Sequence, residues 1–171
     1  MQVRTIKGKL YDRTSSVARL LSDAASVTLP EIALLTETIK GVGINGEIDV
    51  PTYGQLGAME VEISHNNLSR DTVRTFRQQT QHLEHRWAAQ ILDEKTGATK
   101  VVGKKAIMKL LPKSLNLGSI ESNKAEESSS KFELTYLKYV EGNTVLIEID
   151  KLNDKFVVDG VDYSAAIRKV L

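Results

Sequence analysis

Apolar residues recur at alternate positions on both sides of a Gly-Asn pair near the C-terminus, and this pattern constrains the fold more than any other. A period of two is the spacing of side chains along one face of a β-strand. A Gly-Asn pair between two such runs is typical of a tight hairpin turn. The predicted inward-facing residues are Phe132, Leu134, Tyr136 and Val140 before the turn at Gly142 and Asn143, and Val145, Ile147 and Ile149 after it.

Shorter runs elsewhere in the chain show the same alternation. Strands are predicted at residues 3–11 and 58–66, and a second hairpin is predicted from residues 82–92 and 99–113. Strands do not alternate regularly with helices, which argues against a parallel, doubly wound sheet. We therefore expect a mostly β or α+β fold with antiparallel strands, formed by one domain over residues 1–171.

Helical patterns are short. Residues 17–25 have helical spacing, residues 67–79 begin with capping residues, and residues 163–171 end in basic side chains that suit a helix C-terminus. Residues 32–40 fit either a helix or a strand, with a threonine-rich end that favours a strand. Residues 121–131 have the composition of a solvated loop.

Charge balance and the absence of cysteine exclude several classes of protein. The chain has 23 basic and 22 acidic residues, so no whole-molecule attraction to nucleic acid or anionic membrane is expected. Without cysteine it has no disulfides, thiolate nucleophiles or zinc–cysteine sites. No apolar run approaches the roughly 18 residues of a membrane-spanning helix, so no membrane anchor is expected.

Residues 41–57 form the longest stretch without a strand or helix pattern, and they begin with GVGING. The glycines match the G-x-G-x-x-G fingerprint, in which backbone amides approach a pyrophosphate at the N-terminus of the next helix. Here an extended segment closed by Pro51 follows, and Glu47 and Asp49 add negative charge where a phosphate would bind. A structural or contact loop is favoured, and a nucleotide-binding enzyme using this loop is the alternative.

Three histidines are the remaining candidates for metal binding. His82 and His85 are three residues apart on a predicted strand, where their side chains point to opposite faces. His65 is remote from both in sequence. The sequence therefore predicts no metal site, no cofactor and no catalytic residue.

A basic side is predicted for the helix at residues 67–79. Arg70, Arg74 and Arg77 would face outward, with Val73 and Phe76 inward. Such a side favours solvent or a protein contact. A small nucleic-acid-binding module using these arginines is a second alternative.

Two blocks of sequence resemble the major tail tube proteins of contractile-tailed phages and phage-derived contractile bacteriocins. The first block consists of Leu29-Pro30, GVGING at 41–46, IDVP at 48–51, Gly54 and Met59-Glu60. The second consists of Leu134-Thr135-Tyr136, Gly142, LIEID at 146–150, Asn153, Gly160-Val161-Asp162, Ala166 and Arg168. The order of the blocks, more than any single motif, makes the resemblance specific.

The resemblance implies an antiparallel β-sandwich or barrel-like subunit with one or two short flanking helices. Subunits of this family form hexameric rings around a shared inner β-barrel, and the rings stack into a hollow tube inside a contractile sheath. By this resemblance, the glycine-rich loop would connect adjacent rings. The inter-ring residues it implies are Gly41, Val42, Gly43, Ile44, Asn45, Gly46, Asp49, Pro51 and Tyr53.

The resemblance also implies a lumen and a set of partners. The candidate lumen-facing residues are Glu60, Glu62, Ser64, Glu133 and Thr135. The implied partners are further copies of the chain, a sheath protein, baseplate proteins that initiate the tube, a tape-measure protein and DNA in transit. The implied role is a non-enzymatic conduit or membrane-puncturing rod, placed in a virion tail or bacteriocin particle and assembled in the host bacterial cytoplasm.

Overall fold

The computed structural model describes residues 2–171, and strands dominate that part of the chain. Twelve strands and two short helices follow one another there. They are β1 (Gln2–Asp12), β2 (Arg19–Leu20), β3 (Ala24–Thr28), β4 (Leu34–Ile39), β5 (Ile48–Leu56), β6 (Glu60–His65), α1 (Arg70–Arg74), β7 (Gln81–Leu92), β8 (Thr99–Asn116), β9 (Ser128–Glu141), β10 (Thr144–Asp150), β11 (Lys155–Val158), β12 (Val161–Asp162) and α2 (Ala165–Arg168).

The strands are antiparallel and form one large sheet and one separate hairpin. The large sheet has the order β12-β11-β10-β9-β8-β7-β1-β2, and β6 pairs with both β3 and β9. Strand β9 is long enough to pair with β6 through residues 128–133 and with β10 through residues 136–141, while β8 lies along its other edge. The predicted mostly β, antiparallel fold is therefore confirmed.

The large sheet folds over onto itself and encloses one core, which gives a sandwich-like subunit. The core combines side chains from β1 and β7, such as Leu10 and Leu83, with Met59 and Val61 from the opposite layer. Phe132, Leu134 and Ile149, from the C-terminal hairpin, are fully buried in the same core. Strands β1 and β3 do not pair with each other among the described strands, so the sheet does not close into a barrel.

Both predicted hairpin turns are confirmed. In β9, however, one extra residue moves the later part of the predicted inward-facing set to the opposite face of the strand. Leu134 lies opposite Leu110, whereas Tyr136 lies opposite Lys109, so Thr135 has no partner in the ladder. Such a β-bulge shifts the alternation by one residue. Tyr136 and Val140 therefore lie on the face opposite Phe132 and Leu134, which corrects the sequence prediction.

The same correction applies to β10. Val145 pairs with Val140 and Ile147 pairs with Tyr139, so Leu146 is the extra residue there. Ile147 and Ile149 pack on the core, and Val145 is on the other face.

Two helix predictions were wrong in part or in full. Residues 17–25 form β2, a turn and the start of β3, because Leu20 pairs with Tyr11 and Leu21 is buried in the core. Helix α1 is capped by Ser69 as predicted but ends at Arg74. Its buried residue is Thr72, whereas Val73 is 46% exposed.

Strand ends also differ from prediction. The predicted loop at residues 121–131 stops earlier, because β9 begins at Ser128. Strand β8 ends at Asn116, three residues beyond the predicted end at residue 113.

We expect Leu134→Ala to lower the free energy of unfolding by about 2–5 kcal/mol, because it leaves a cavity in a fully enclosed site. The matched control is Leu152→Ala, whose side chain is 78% exposed, and it should change stability by less than about 0.5 kcal/mol. Urea denaturation of both variants measures the difference. Similar values for the two would contradict the proposed core.

We expect Tyr136 to ionise near pH 12, because burial and the hydrogen bond from its hydroxyl to Glu148 raise its pKa to about 12. An unfolded tyrosine ionises near pH 10. The neutral phenol thus stabilises the fold below about pH 10, and this contribution is lost as pH rises from about 10 to 12. Tyrosinate absorbance should lose its step near pH 12 in Tyr136→Phe, whereas Tyr53→Phe should retain it. A step that survives in Tyr136→Phe would refute this assignment.

Candidate functional site

A hairpin of β4 and β5 stands apart from the large sheet. The sequence predicted an irregular loop over residues 41–57, but β5 occupies Ile48–Leu56 and pairs with β4. Only residues 40–47 at the tip are irregular, and every residue of β4 is exposed. Isolated two-stranded hairpins are marginally stable in water, so a surface of this kind needs further contacts.

The two sides of this hairpin differ in polarity. Ile39 pairs with Ile48, and Val50 pairs with Glu37 on the same side, next to Leu35. We call Leu35, Ile39, Ile48 and Val50 the apolar side. These four residues are between 40% and 51% exposed.

The opposite side of the hairpin is polar. Thr38 pairs with Asp49 and donates a hydrogen bond of 2.6 Å to its carboxylate, and Thr36 pairs with Pro51. The residues implied by the resemblance include Asp49 and Pro51, which lie on this polar side, but none of the apolar side. The alternation of Leu35, Glu37 and Ile39 was the available signal, and it was obscured because the segment also fits a helix.

The tip contains the GVGING motif and has no phosphate-binding geometry. Gly43 and Gly46 have φ values of 94° and 106°, which favour glycine in a turn. Val42 at the tip is fully exposed, and Lys40 forms an ion pair with Glu47. Strand β5 follows the motif where a dinucleotide fold requires a helix N-terminus, so the structure does not support the nucleotide-binding alternative.

The base of the hairpin packs against the C-terminal segment. The ring of Tyr53 meets that of Tyr163 at a centroid distance of 6.0 Å. Gly54, with φ 68°, lies so close to α2 that an added Cβ would be 3.0 Å from Ile167 Cδ1. Lys151 Nζ donates a hydrogen bond of 2.7 Å to the carbonyl of Gly57. The hairpin is therefore fixed at its base and free at its tip.

The predicted lumen-facing residues lie together on the outer face of β6 and β9. Glu60 is directly opposite Glu133, and Glu62 and Ser64 follow on the same face of β6. Thr135 is the bulged residue of β9, and its hydroxyl donates to the carbonyl of Lys109. The sequence prediction thus grouped five residues that are neighbours in the fold.

Lysines offset the negative charge of this group. Lys113 Nζ lies 2.7 Å from Glu60, and Lys131 lies 3.4 Å from the same carboxylate. The hydrogen bond from Lys113 lowers the pKa of Glu60, and Lys131 adds to this effect. Lys151 approaches Glu133 to 3.4 Å. Two like charges on one rung of a sheet are unfavourable, and the lysines relieve that repulsion.

The histidines have structural positions. His65 is buried and its Nε2 lies 2.9 Å from the Ser130 hydroxyl, while His85 stacks on Trp87 with ring centroids 5.1 Å apart. Burial lowers the pKa of both rings. Within residues 2–171, no group of acidic or histidine side chains has a metal-binding arrangement.

The predicted basic side of α1 is only partly available. Arg74 pairs with Asp71 at 3.1 Å, and Arg19 approaches the same carboxylate to 4.0 Å. Arg70 and Arg77 are exposed. In the part of the chain that the structure describes, no helix is long and apolar enough to cross a membrane.

Comparison with solved structures shows that this fold occurs in contractile injection systems. One similar chain is in the cryo-EM structure of the six-fold symmetrised baseplate of the anti-feeding prophage, with a TM-score of 0.52 and 11% identity over 82% of this chain and 97% of that one. A second is in the extended sheath–tube complex of the PVC extracellular contractile injection system, with a TM-score of 0.51 and 9% identity over 78% and 88%. The sheath/tube terminator of that system gives 0.50 and 10% over 78% and 93%.

Comparison at the level of sequence identifies the family. A comparison with curated protein sequences gives no match. The family model described as phage tail tube protein FII matches residues 16–171, which include both blocks of the resemblance noted above. The chain therefore belongs to the phage tail tube protein FII family.

Proposed function

We propose that six copies of this structural tube protein form a ring and that the rings stack into the hollow inner tube of a contractile tail or injection particle. The observation that carries the proposal is the exposed apolar side of the β4–β5 hairpin, on a hairpin fixed only at its base. An apolar surface of this kind, projecting from the subunit, is typical of a protein–protein contact. Stacking of rings through a head-to-tail contact builds a filament.

Open strand edges support lateral association around the ring. Strand β1 pairs with β7 on one side, and on its other side it pairs with β2 only at Tyr11 and Asp12 among the described strands. Within residues 2–171, strand β3 pairs only with β6. Such unpaired backbone edges bind strands of other chains, and closure of a ring removes them.

The hairpin is the proposed contact between rings. Its tip supplies Gly41, Val42, Gly43, Ile44, Asn45 and Gly46, and its polar side supplies Asp49 and Pro51. Tyr53 acts at the base, where its ring holds the hairpin against Tyr163. We add the apolar side to these residues, because its burial against a neighbouring subunit would contribute about 25 cal/mol for each Å² removed from water.

We also propose a channel side for the face of β6 and β9 that contains Glu60, Glu62, Ser64, Glu133 and Thr135. The ion pairs of Glu60 leave this region close to neutral, which suits passage of a partner without tight binding. The proposed partners are sheath and baseplate proteins outside and below the tube, and a tape-measure protein or DNA inside it. The role is structural, with no catalysis and no cofactor, in a particle assembled in a bacterial cytoplasm.

We expect the double substitution Ile39→Ser with Ile48→Ser to abolish long rods in negative-stain electron microscopy of the purified protein. Both side chains are about half exposed in the subunit, so circular dichroism and the unfolding temperature should stay close to those of the unsubstituted protein. The matched control is Thr36→Ser with Thr38→Ser on the polar side, which preserves the hydroxyl groups and should assemble normally.

Two results would count against the proposal. Rods of unchanged length from the double isoleucine variant would remove the apolar side from ring stacking. A strictly monomeric unsubstituted protein, at high concentration and with a baseplate template supplied, would contradict the tube itself.

A further inference from the structure

Three cationic side chains lie side by side on the outer face of the large sheet. Lys9 of β1 is directly opposite Arg86 of β7, and Arg86 is directly opposite Lys105 of β8. Like charges at directly opposite positions destabilise a sheet. These three cations form one rung of the sheet in a chain whose formal net charge is +1. Because this placement lowers the stability of the sheet, folding stability does not explain it.

The rung borders a shallow depression of about 550 Å³. The next rung on the same face consists of Lys7, Ala88 and Gly103, so small residues form its floor. Lys104 belongs to the opposite face of β8, where it pairs with Trp87 in the ladder and approaches Glu141 to 3.4 Å. Four cations, Lys7, Lys9, Arg86 and Lys105, thus surround a surface that a ligand can approach closely.

Most of this positive charge is not neutralised within the subunit. Arg86 is paired with Glu84, which also contacts Arg13. Lys7, Lys9 and Lys105 have no carboxylate partner among the described residues. Apart from Arg86, the cations of the depression are therefore available to a negatively charged ligand.

The depression lacks the anchors that a folded protein partner would need. Protein interfaces depend on buried aromatic or large apolar side chains at their centre. The centre here is Ala88 and Gly103, and the two aromatic residues at the border are already engaged. Arg86 covers the ring of Tyr11 at 5.5 Å, and Trp87 stacks on His85.

We propose that this depression binds the phosphate backbone of nucleic acid without reading its sequence. Lysine and arginine bind nucleic acid by neutralising phosphates and releasing counterions, which needs charge and access but no apolar anchor. The rung supplies closely spaced cations, and the small floor residues let a backbone lie near the sheet. The binding is a property of the single subunit and does not depend on the proposed channel side, which lies on β6 and β9.

The sequence analysis predicted a nucleic-acid-binding surface at Arg70, Arg74 and Arg77, and the resemblance implied DNA in transit through the lumen without naming residues that bind it. The relevant cations are far apart in sequence, and only the register of β1, β7 and β8 brings them together. The arginines in and just after α1 lack a comparable arrangement, because Arg74 is paired with Asp71 and Arg77 lies beyond the end of the helix.

The test measures binding of a short fluorescein-labelled DNA duplex by fluorescence anisotropy, with dispersed full-length subunits and a series of salt concentrations. For contact with four phosphates, the logarithm of the binding constant should fall against the logarithm of salt with a slope of about −3.6. The double variant Lys9→Gln with Lys105→Gln removes two of the contacts, so the slope should fall to about −1.8. Its affinity at low salt should fall at least about tenfold.

The matched control is Lys95→Gln with Lys169→Gln, which changes the net charge equally at exposed positions outside the depression. It should bind DNA within about twofold of the unsubstituted protein. Thermal unfolding gives a second readout, because relief of like-charge repulsion should raise the unfolding temperature of Lys105→Gln at low salt.

Four outcomes would overturn the inference. Absence of DNA binding at low salt refutes it, and equal losses in both double variants would reveal only a diffuse charge effect. Tighter binding of polyglutamate than of DNA would assign the depression to an acidic protein. If the rung variant binds DNA normally but fails to form rods, the cations serve subunit contacts instead. DNA binding by subunits that never form rods would refute the tube and leave this inference standing.

Discussion

The pairing of β8 with β9 is the constraint on which the rest of the structure depends. Strand β9 must reach both layers of the sandwich, since its first half pairs with β6 and its second half with β10. A strand with unbroken alternation would present one face to the core throughout. The extra residue Thr135 changes the face between the halves, so Leu134 and Leu137 both enter the core although they are three residues apart. The bulge thus lets one strand belong to two layers.

The core forms mainly from side chains of the large sheet, and among the hairpin residues that the structure describes only Leu56, at the base, packs against it. Burial in this core therefore does little to stabilise the outer part of the β4–β5 hairpin. Contacts of Tyr53, Gly54 and Gly57 hold this base, whereas Ile39 and Ile48 remain about half exposed. The apolar side of the hairpin is therefore better explained by association than by folding, which agrees with the family to which the chain belongs.

Much of the fold followed from local sequence because both hairpins have period-two alternation and a recognisable turn. The predictions failed where the outcome depends on how strands distant in sequence pair with one another. The bulges at Thr135 and Leu146 leave no local signal, so the faces of β9 and β10 were assigned wrongly beyond them. Residues 17–25 have helical spacing, yet pairing of Leu20 with Tyr11 gives a strand. The candidates Glu60, Glu62 and Ser64 share one face, as alternation predicted, because β6 is regular.

Net charge conceals how the charges are arranged. The acidic group around Glu60 lies among lysines that neutralise it, whereas Lys9, Arg86 and Lys105 face one another without enough carboxylates nearby. Neither arrangement is visible in a formal charge of +1. A subunit that packs against copies of itself benefits from low net charge, because repulsion between copies stays small. When cations are concentrated on one face of the sheet, the net charge of the subunit stays low and repulsion between copies stays small. That face still has a strong positive potential, so it can bind a polyanion without hindering assembly.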